Sequence, residues 1–292
     1  MKHWKNWKIH RLERKEFPDG LKVIKDQPKT MYFRGDWDVN LFRNTIAMVG
    51  SRKMTRYGET IIEKMMPAIV SKGITVISGF MYGVDTQCHR QCLDFGGKTI
   101  AIVGGGLDKL APSSNDQLYS EILEKGGLVM SEYEADFLPT TWSFPQRDRL
   151  MSAMATMGIL VIEGGIKSGS LITAKYGLKY NKKVMAVPGP INSSVSEGTN
   201  WLIKSGAAKM VTSSADIFDD EIKGTHQEIL FKDFKDLSII EKNIVGILEN
   251  ESITIDELSK KLKLSVVETN KTISLMLMRD LIEEEGGKVY LS

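Results

Sequence analysis

Cysteine is scarce in this chain of 292 residues, which has only Cys88 and Cys92. Their i,i+4 spacing sets them on one helix face, a poor geometry for a disulfide. With His89 between them they still fall short of the four ligands of a structural metal site, so buried thiols in a reducing compartment are expected and no metal. An excess of either charge is missing too. The 39 Lys and Arg stand against 37 Asp and Glu, a formal net charge of +2, which excludes a polybasic, histone-like protein and confines any nucleic-acid site to a local patch. No apolar run approaches the ~20 residues that span a bilayer. The basic N-terminus, residues 1–15 with Trp4 and Trp7, lacks the apolar stretch of a signal peptide. A soluble, cytoplasmic protein is the expectation.

Two nucleotide signatures are also absent. No strand leads into GxGxxG, because the nearest run, Gly104-Gly105-Gly106-Leu107-Asp108, has no third glycine at the packing position. No Gly-Lys-Ser/Thr has the spacing of a P-loop. Nicotinamide chemistry and nucleoside triphosphate hydrolysis lose support, and no cofactor is expected.

What the sequence does have is a long alternation of short apolar runs and amphipathic stretches. TIAMVG is followed by a helical pattern over 57–72, then ITVISG, a helix over 85–95, KTIAIVGGG, a helix over 115–124, GLVMSE, a Pro-bounded loop, a helix near Arg149, GILVIEGG, a helix over 170–180 and KVMAVPG. Near-continuous apolar strands, each leading to a helix, predict a parallel sheet covered on both faces. The fold class is α/β, an extended Rossmann-like, doubly wound parallel sheet. Residues 1–44 form an N-terminal extension packed on this core, 45–220 the Rossmann-like domain and 221–236 a polar linker. Over 237–292, helical patterns at 237–248, 254–262 (opening with TIDE) and 265–278 precede EEGGKVYL. Three helices and a terminal hairpin predict a small C-terminal winged-helix domain.

In an open parallel sheet, ligands lie beyond the carboxyl ends of the strands, where loops expose helix N-termini. Here those loops read Gly50-Ser51-Arg52, Ser78-Gly79 with Gly83, Gly104-Gly105-Gly106, Ser131-Glu132, and Gly164-Gly165 leading through Lys167 to Ser168-Gly169-Ser170. Glycine lets backbone amides approach an anion, serine adds a hydroxyl donor, and Arg52 offers a planar fork for phosphate oxygens. Taken singly, each glycine could simply permit a tight turn. Several such loops on one edge make an anion-binding groove. A second candidate is the loop Phe144-Pro145-Gln146-Arg147-Asp148-Arg149, with two arginines for phosphates and an aromatic for a base. The alternative there is a surface charge cluster with Phe144 in the core. Trp142 and Tyr133 are expected to pack in the core first and to serve as base platforms second.

The ordered motifs AMVGSRKMTRYG, SGFMYGVD, GGGLDKLAPSSN, LVMSEY, FPQRDR, SGSLITA, VPGP and GTNWLIKSGA resemble those of the DprA/Smf family of DNA-processing proteins, from about Phe17 to the C-terminus. The resemblance implies a non-catalytic protein that binds and protects single-stranded DNA, dimerises through its Rossmann domain and loads a RecA-type recombinase in natural transformation or recombination. It maps phosphate binding onto Gly50, Ser51, Arg52, Ser168, Gly169 and Ser170, with Arg147 and Arg149 as the family's paired arginines. Ser78, Gly79, Gly104, Gly105 and Lys167 complete the expected set. The chain departs from the family at Asp148, where Asn is usual, at Phe80-Met81-Tyr82, where residues are small, and at Ser152-Ala153. The roughly forty residues before the first strand leave no room for the N-terminal helical domain of many members. Asp148 is expected to cap a helix starting after it, where Asp and Asn serve equally.

Two other functions compete. A phosphoribohydrolase-like Rossmann enzyme would need a carboxylate after its glycine loop, whereas IKSGSLITAKYG has none and Glu163 precedes it. A winged-helix regulator of duplex DNA would present Lys271 and Arg279, but Glu268, Asp280 and Glu283-Glu284-Glu285 surround them.

Overall fold

The computed structural model describes residues 3–22, 24–218, 237–248, 252–278 and 281–291. The chain divides into two compact units, Met1–Gln227 and Glu228–Ser292. The expected linker, 221–236, and the side chains of Arg279 and Asp280 lie outside the described residues.

In the first unit the strands are β1 (His10–Leu12), β2 (Met31–Arg34), β3 (Thr45–Val49), β4 (Thr75–Ser78), β5 (Thr99–Ile102), β6 (Leu128–Ser131), β7 (Gly158–Val161), β8 (Val184–Ala186) and β9 (Lys209–Met210). The helices are α1 (Asp19–Lys22), α2 (Arg56–Ser71), α3 (Val84–Asp94), α4 (Asp116–Glu124), α5 (Ser143–Met154), α6 (Gly169–Lys179), α7 (Glu197–Lys204) and α8 (Ser214–Phe218). Among the described residues these strands form one sheet in the order β1-β2-β6-β5-β4-β3-β7-β8-β9. From β6 through β9 every neighbouring pair is parallel, and β1 and β2 add an antiparallel edge. Every residue of β3 through β8 is buried, as a sheet covered on both faces requires. The fold is the extended Rossmann-like, doubly wound α/β class.

The strand order positions the site. The chain builds outward from β3 through β4 and β5 to β6, then returns to the other side of β3 with β7, β8 and β9. Connections leaving β3 and β7 therefore run to opposite sides and open a crevice between them, the place where such sheets bind ligands. Two cores flank the sheet. One holds Ile62, Met66, Ile69, Cys88 and Cys92 from α2 and α3 against β3 and β7, and the other joins Trp4 to Phe80, Tyr119 and Ile122.

The N-terminal extension is built into the second core. Trp4 is fully buried, stacks on Tyr119 at 4.6 Å, lies beneath the Arg34 guanidinium at 4.9 Å and donates its indole N–H to Asp116. Strands β1 and β2 then carry it onto β6.

In the second unit, α9 (Ile239–Leu248), β10 (Ile253–Thr254), α10 (Ile255–Leu262) and α11 (Val266–Met278) precede the hairpin β11 (Ile282–Glu285) and β12 (Lys288–Leu291). The sheet order is β10-β12-β11. The TIDE signal works as a capping box: Thr254 and Glu257 satisfy each other's backbone N–H groups at the start of α10. Ser265 and Glu268 repeat the arrangement at α11.

Trp4→Ala is expected to lower stability by about 3–5 kcal/mol, the range for truncating a buried aromatic, in urea unfolding of the full chain. A change below ~1 kcal/mol would mean that the extension contributes little to the core.

Candidate nucleic-acid interface

Between β3 and β7 lies a cavity of about 850 Å³. Its first wall is the loop after β3, from Val49 to Lys53. Gly50 admits no side chain, because a Cβ would lie 2.7 Å from Val84 and 2.8 Å from the Glu163 carbonyl. Ser51 is anchored twice: its carbonyl accepts from Val84 N–H at 3.2 Å and its hydroxyl accepts from Lys53 N–H at 3.0 Å. Gly83 makes that anchor possible. Its φ is +71°, and a Cβ there would come within 2.3 Å of the Ser51 carbonyl oxygen. The loop thus presents Arg52 and Lys53 to solvent, with the Arg52 guanidinium 5.3 Å from the centre of the Phe144 ring.

The second wall runs from Gly165 through Lys167 to the start of α6. Ser168 caps that helix, accepting from Ser170 N–H, and the two hydroxyls lie 2.8 Å apart. The N-terminus of an α-helix carries free N–H groups and partial positive charge, so it suits a phosphate. Glu163, at the end of β7, is 2% exposed and accepts from the Thr55 N–H at 2.9 Å and from the Thr55 hydroxyl. Its carboxylate ties the start of α2 to β7, which leaves it bound to backbone rather than poised over the loop.

The third wall is α5, supplying Phe144, Pro145, Arg147, Asp148 and Met151. Here the structure corrects the sequence reading. The FPQRDR segment is helix, not loop: α5 starts at Ser143, whose hydroxyl bridges the Thr140 N–H and carbonyl. Pro145 in the first turn needs no N–H donor there, the signal that could have placed the helix start correctly. Asp148 is therefore inside α5 and caps nothing.

Arg147 and Arg149 part company for the same reason, since residues two apart on a helix point about 200° from each other. Arg147 faces the cavity. Its side chain is 3% exposed, Nη1 donates to the Ile102 carbonyl at 2.9 Å, and Nε lies 3.2 Å from Asp148. Arg149 faces away and is not a groove residue. It donates to both Glu132 oxygens at 2.8 and 2.7 Å and reaches the Asp26 carbonyl.

Four more expected contacts are also corrected. The Ser78 hydroxyl is fully buried and donates to the Met48 carbonyl at 2.7 Å. Gly79 makes room for Arg147, whose Nη1 would lie 1.8 Å from any Cβ there. Gly104 lies against the Phe144 ring and Gly105 against Pro139. These glycines accommodate side chains rather than anions. Gly50, Ser51, Arg52, Arg147, Lys167, Ser168, Gly169 and Ser170 all line the cavity.

Two cavity residues outside the expected set matter most, Lys53 and Asp85. Asp85 opens α3 within the SGFMYGVD motif and accepts from Met81 N–H at 3.3 Å. Burial raises its pKa, against the pull of Arg147. Asp148 is pushed up to about 7, chiefly by burial and further by Asp85, with Arg147 and Arg52 opposing. Phe80 is fully buried at a φ of +62°. Asn115 holds this strained turn by donating to the Phe80 carbonyl at 3.1 Å, and Met81 beside it reaches the cavity.

Trp142 is not core, being 53% exposed, while Tyr133 and Phe144 are half-buried. Cys88 and Cys92 are buried and free. His89 is fully buried beside them, with Nδ1 2.7 Å from the Thr99 hydroxyl, and burial lowers its pKa to about 3. Among the described residues no cluster of three metal-ligating side chains occurs, and no helix is long and apolar enough to cross a membrane.

A doubly wound sheet with a serine- and glycine-lined cavity at its switch point defines a Rossmann-like α/β protein. Residues 8–221 match the family described as DNA recombination-mediator protein A, and the chain belongs to that family. It is 35% identical over 210 residues to Protein Smf of Escherichia coli, covering 72% of this chain and 55% of that protein, so it spans little more than half of that relative. It is 34% identical to DNA processing protein DprA of Bacillus subtilis, covering 72% and 69% of the two chains. The solved structure of DNA processing protein A from Streptococcus pneumoniae aligns with a TM-score of 0.67 at 32% identity, covering 77% of this chain and 75% of that one. That of DNA processing protein A from Helicobacter pylori, described for its single-stranded DNA binding mode, aligns at 0.65 and 30% identity, covering 72% and 94%.

Arg149→Ala strands the buried Glu132 carboxylate and is expected to lower stability by about 3–5 kcal/mol, while any nucleic-acid affinity of the folded protein stays at the wild-type value. A binding loss without a stability loss would return Arg149 to the groove. Asp148 gives a pH signature. Its folded pKa of about 7 lies above the ordinary 3.8, so its contribution to stability is full below about pH 4 and is lost as pH rises through about 7. Asp148→Asn, which never ionises, is expected to gain stability over wild type between those limits, read from urea midpoints at pH 4 and 8. Parallel curves for the two proteins would show that the acid is not held in its neutral form.

Proposed function

We propose that this protein is a non-catalytic single-stranded DNA-binding protein that grips phosphates in the cavity between β3 and β7. The observation that carries the reading is the convergence of Arg52, Lys53, Arg147 and the Ser168-capped N-terminus of α6 on one crevice. Family membership supports it, as does the single-stranded DNA binding described for the Helicobacter pylori relative. Gly50, Ser51, Lys167, Gly169 and Ser170 complete the proposed contact set. Protection of the strand, loading of a RecA-type recombinase and dimerisation through the Rossmann-like domain are the further parts of this reading. They suit a cytoplasmic protein acting in transformation or recombination.

The competing readings have less behind them. An enzyme of the phosphoribohydrolase kind would need a free carboxylate at the loop, and Glu163 is engaged by Thr55. For the second unit, read as a winged helix, exposed Glu268, Glu283 and Glu284 disfavour duplex phosphates. An accessory or protein-contact role fits it better.

Titration of single-stranded and duplex oligonucleotides across salt concentrations tests the reading. The protein is expected to prefer the single strand, with log K falling against log salt by roughly 0.7 for each neutralised phosphate. Arg52→Ala is expected to weaken binding by about 1.5–3 kcal/mol, the range for a charged hydrogen bond. Duplex preference, or unchanged affinity in that variant, would reject the groove as the binding site.

A further inference from the structure

The connection from β6 into α5 carries an aromatic cluster that the sheet does not need. Tyr133 stacks on Phe137 with ring centres 4.3 Å apart and planes 15° from parallel. Trp142 lies steeply inclined to both rings, with centres 6.0 and 5.9 Å away. Trp142 is nevertheless 53% exposed, and Leu138 in the same connection is 67% exposed. Thr141 and Phe144, on either side of Trp142 in sequence, both line the cavity between β3 and β7, which sets the backbone of Trp142 at its rim.

An indole held by two supporting rings loses little side-chain freedom on binding, and its exposed face gains only when something flat covers it. The neighbouring charge says what that is. The cavity beside it is built for phosphate, with Arg52 and Lys53 exposed, and a phosphate in a single strand carries its base a few bonds away. In a duplex that base is stacked within the helix and has no free face to offer. Cationic groove plus aromatic platform is the combination that holds unpaired strands without reading sequence.

We propose that Trp142, backed by Tyr133 and Phe137, stacks an unpaired nucleobase of the strand whose phosphates occupy the groove, and that it thereby selects single strands over duplex. The proposal rests on the reading of the groove given above. Arg52 and Trp142 then divide the work. The arginine supplies salt-dependent affinity for backbone, and the indole supplies salt-independent affinity for a base.

The test compares the full-length protein on oligo-dT and on an abasic phosphodeoxyribose oligomer of the same length, at several salt concentrations. Wild type is expected to bind oligo-dT ~5- to 150-fold more tightly, the range for stacking one base. Trp142→Ala is expected to abolish that difference with the salt slope unchanged, and Trp142→Phe to keep most of it. Arg52→Ala is expected to weaken both oligomers and to reduce the slope. Should the alanine variant fail to fold, Trp142→Leu replaces it, since leucine is apolar without a π-face. Equal wild-type affinity for the two oligomers, or full oligo-dT affinity in Trp142→Ala, overturns the platform while leaving the groove. Binding of neither oligomer by wild type overturns groove and platform together.

Discussion

The parallel pairing of β3 with β7 is the constraint on which the rest depends. Ile46, Ala47, Met48 and Val49 register against Gly158, Ile159, Leu160 and Val161, although more than a hundred residues of chain separate the two strands. Burial of these apolar residues on both faces, each large one contributing about 1.5–3 kcal/mol, holds them side by side. Because the chain winds away from β3 in one direction and returns from the other, their two following loops must diverge. The crevice is a consequence of strand order. Glu163 then fixes the spacing, by joining the end of β7 to the first turn of α2 through Thr55.

Within that crevice the charges are arranged at some cost. Arg147, Asp85 and Asp148 are each at least nine-tenths buried, and taking such groups from water is unfavourable unless they neutralise one another. One arginine between two carboxylates cannot fully offset both. Burial raises the pKa of each acid, and Arg147 opposes it without cancelling it. Arg149, on the opposite face of α5, anchors the helix by pairing with Glu132 and Asp26.

The donors of the groove lie at the ends of β3 and β7, along one edge of the sheet. Arg52 and Lys53 project from a loop whose backbone is immobilised by Gly83 and Val84, so their position is set before any ligand arrives. The Ser168 cap does the same for the N-terminus of α6.

The order of β3 to β8 and of the helices between them was legible because each element satisfies a local rule, with continuous apolar strands, amphipathic helices, and glycine or serine at the turns, whereas the short strands β1, β2 and β9 carried no such signal. Capping at Thr254 and the placing of Gly50, Ser51, Arg52, Ser168 and Ser170 on the loops that edge the cavity were legible for the same reason, since backbone chemistry at a strand end or a helix start is decided by neighbouring residues. Side-chain direction was not. Whether Arg147 and Arg149 share a site depends on where α5 begins. That is settled by Ser143, Thr140 and Pro145 together with packing against α6, and it also turned Asp148 from a cap into a buried acid. A glycine after a strand can admit an anion or a neighbour's side chain. At Gly79, Gly104 and Gly105 the neighbours are Arg147, Phe144 and Pro139, which reach them from distant parts of the chain. Trp142 reads as core by composition, yet its exposure follows from where the β6–α5 connection lies on the finished sheet. Sequence alone determined the elements and the loops that edge the site, because those are local. Which side chains face the groove was decided only by tertiary structure, because that depends on helix phase and on contacts between residues far apart in the chain.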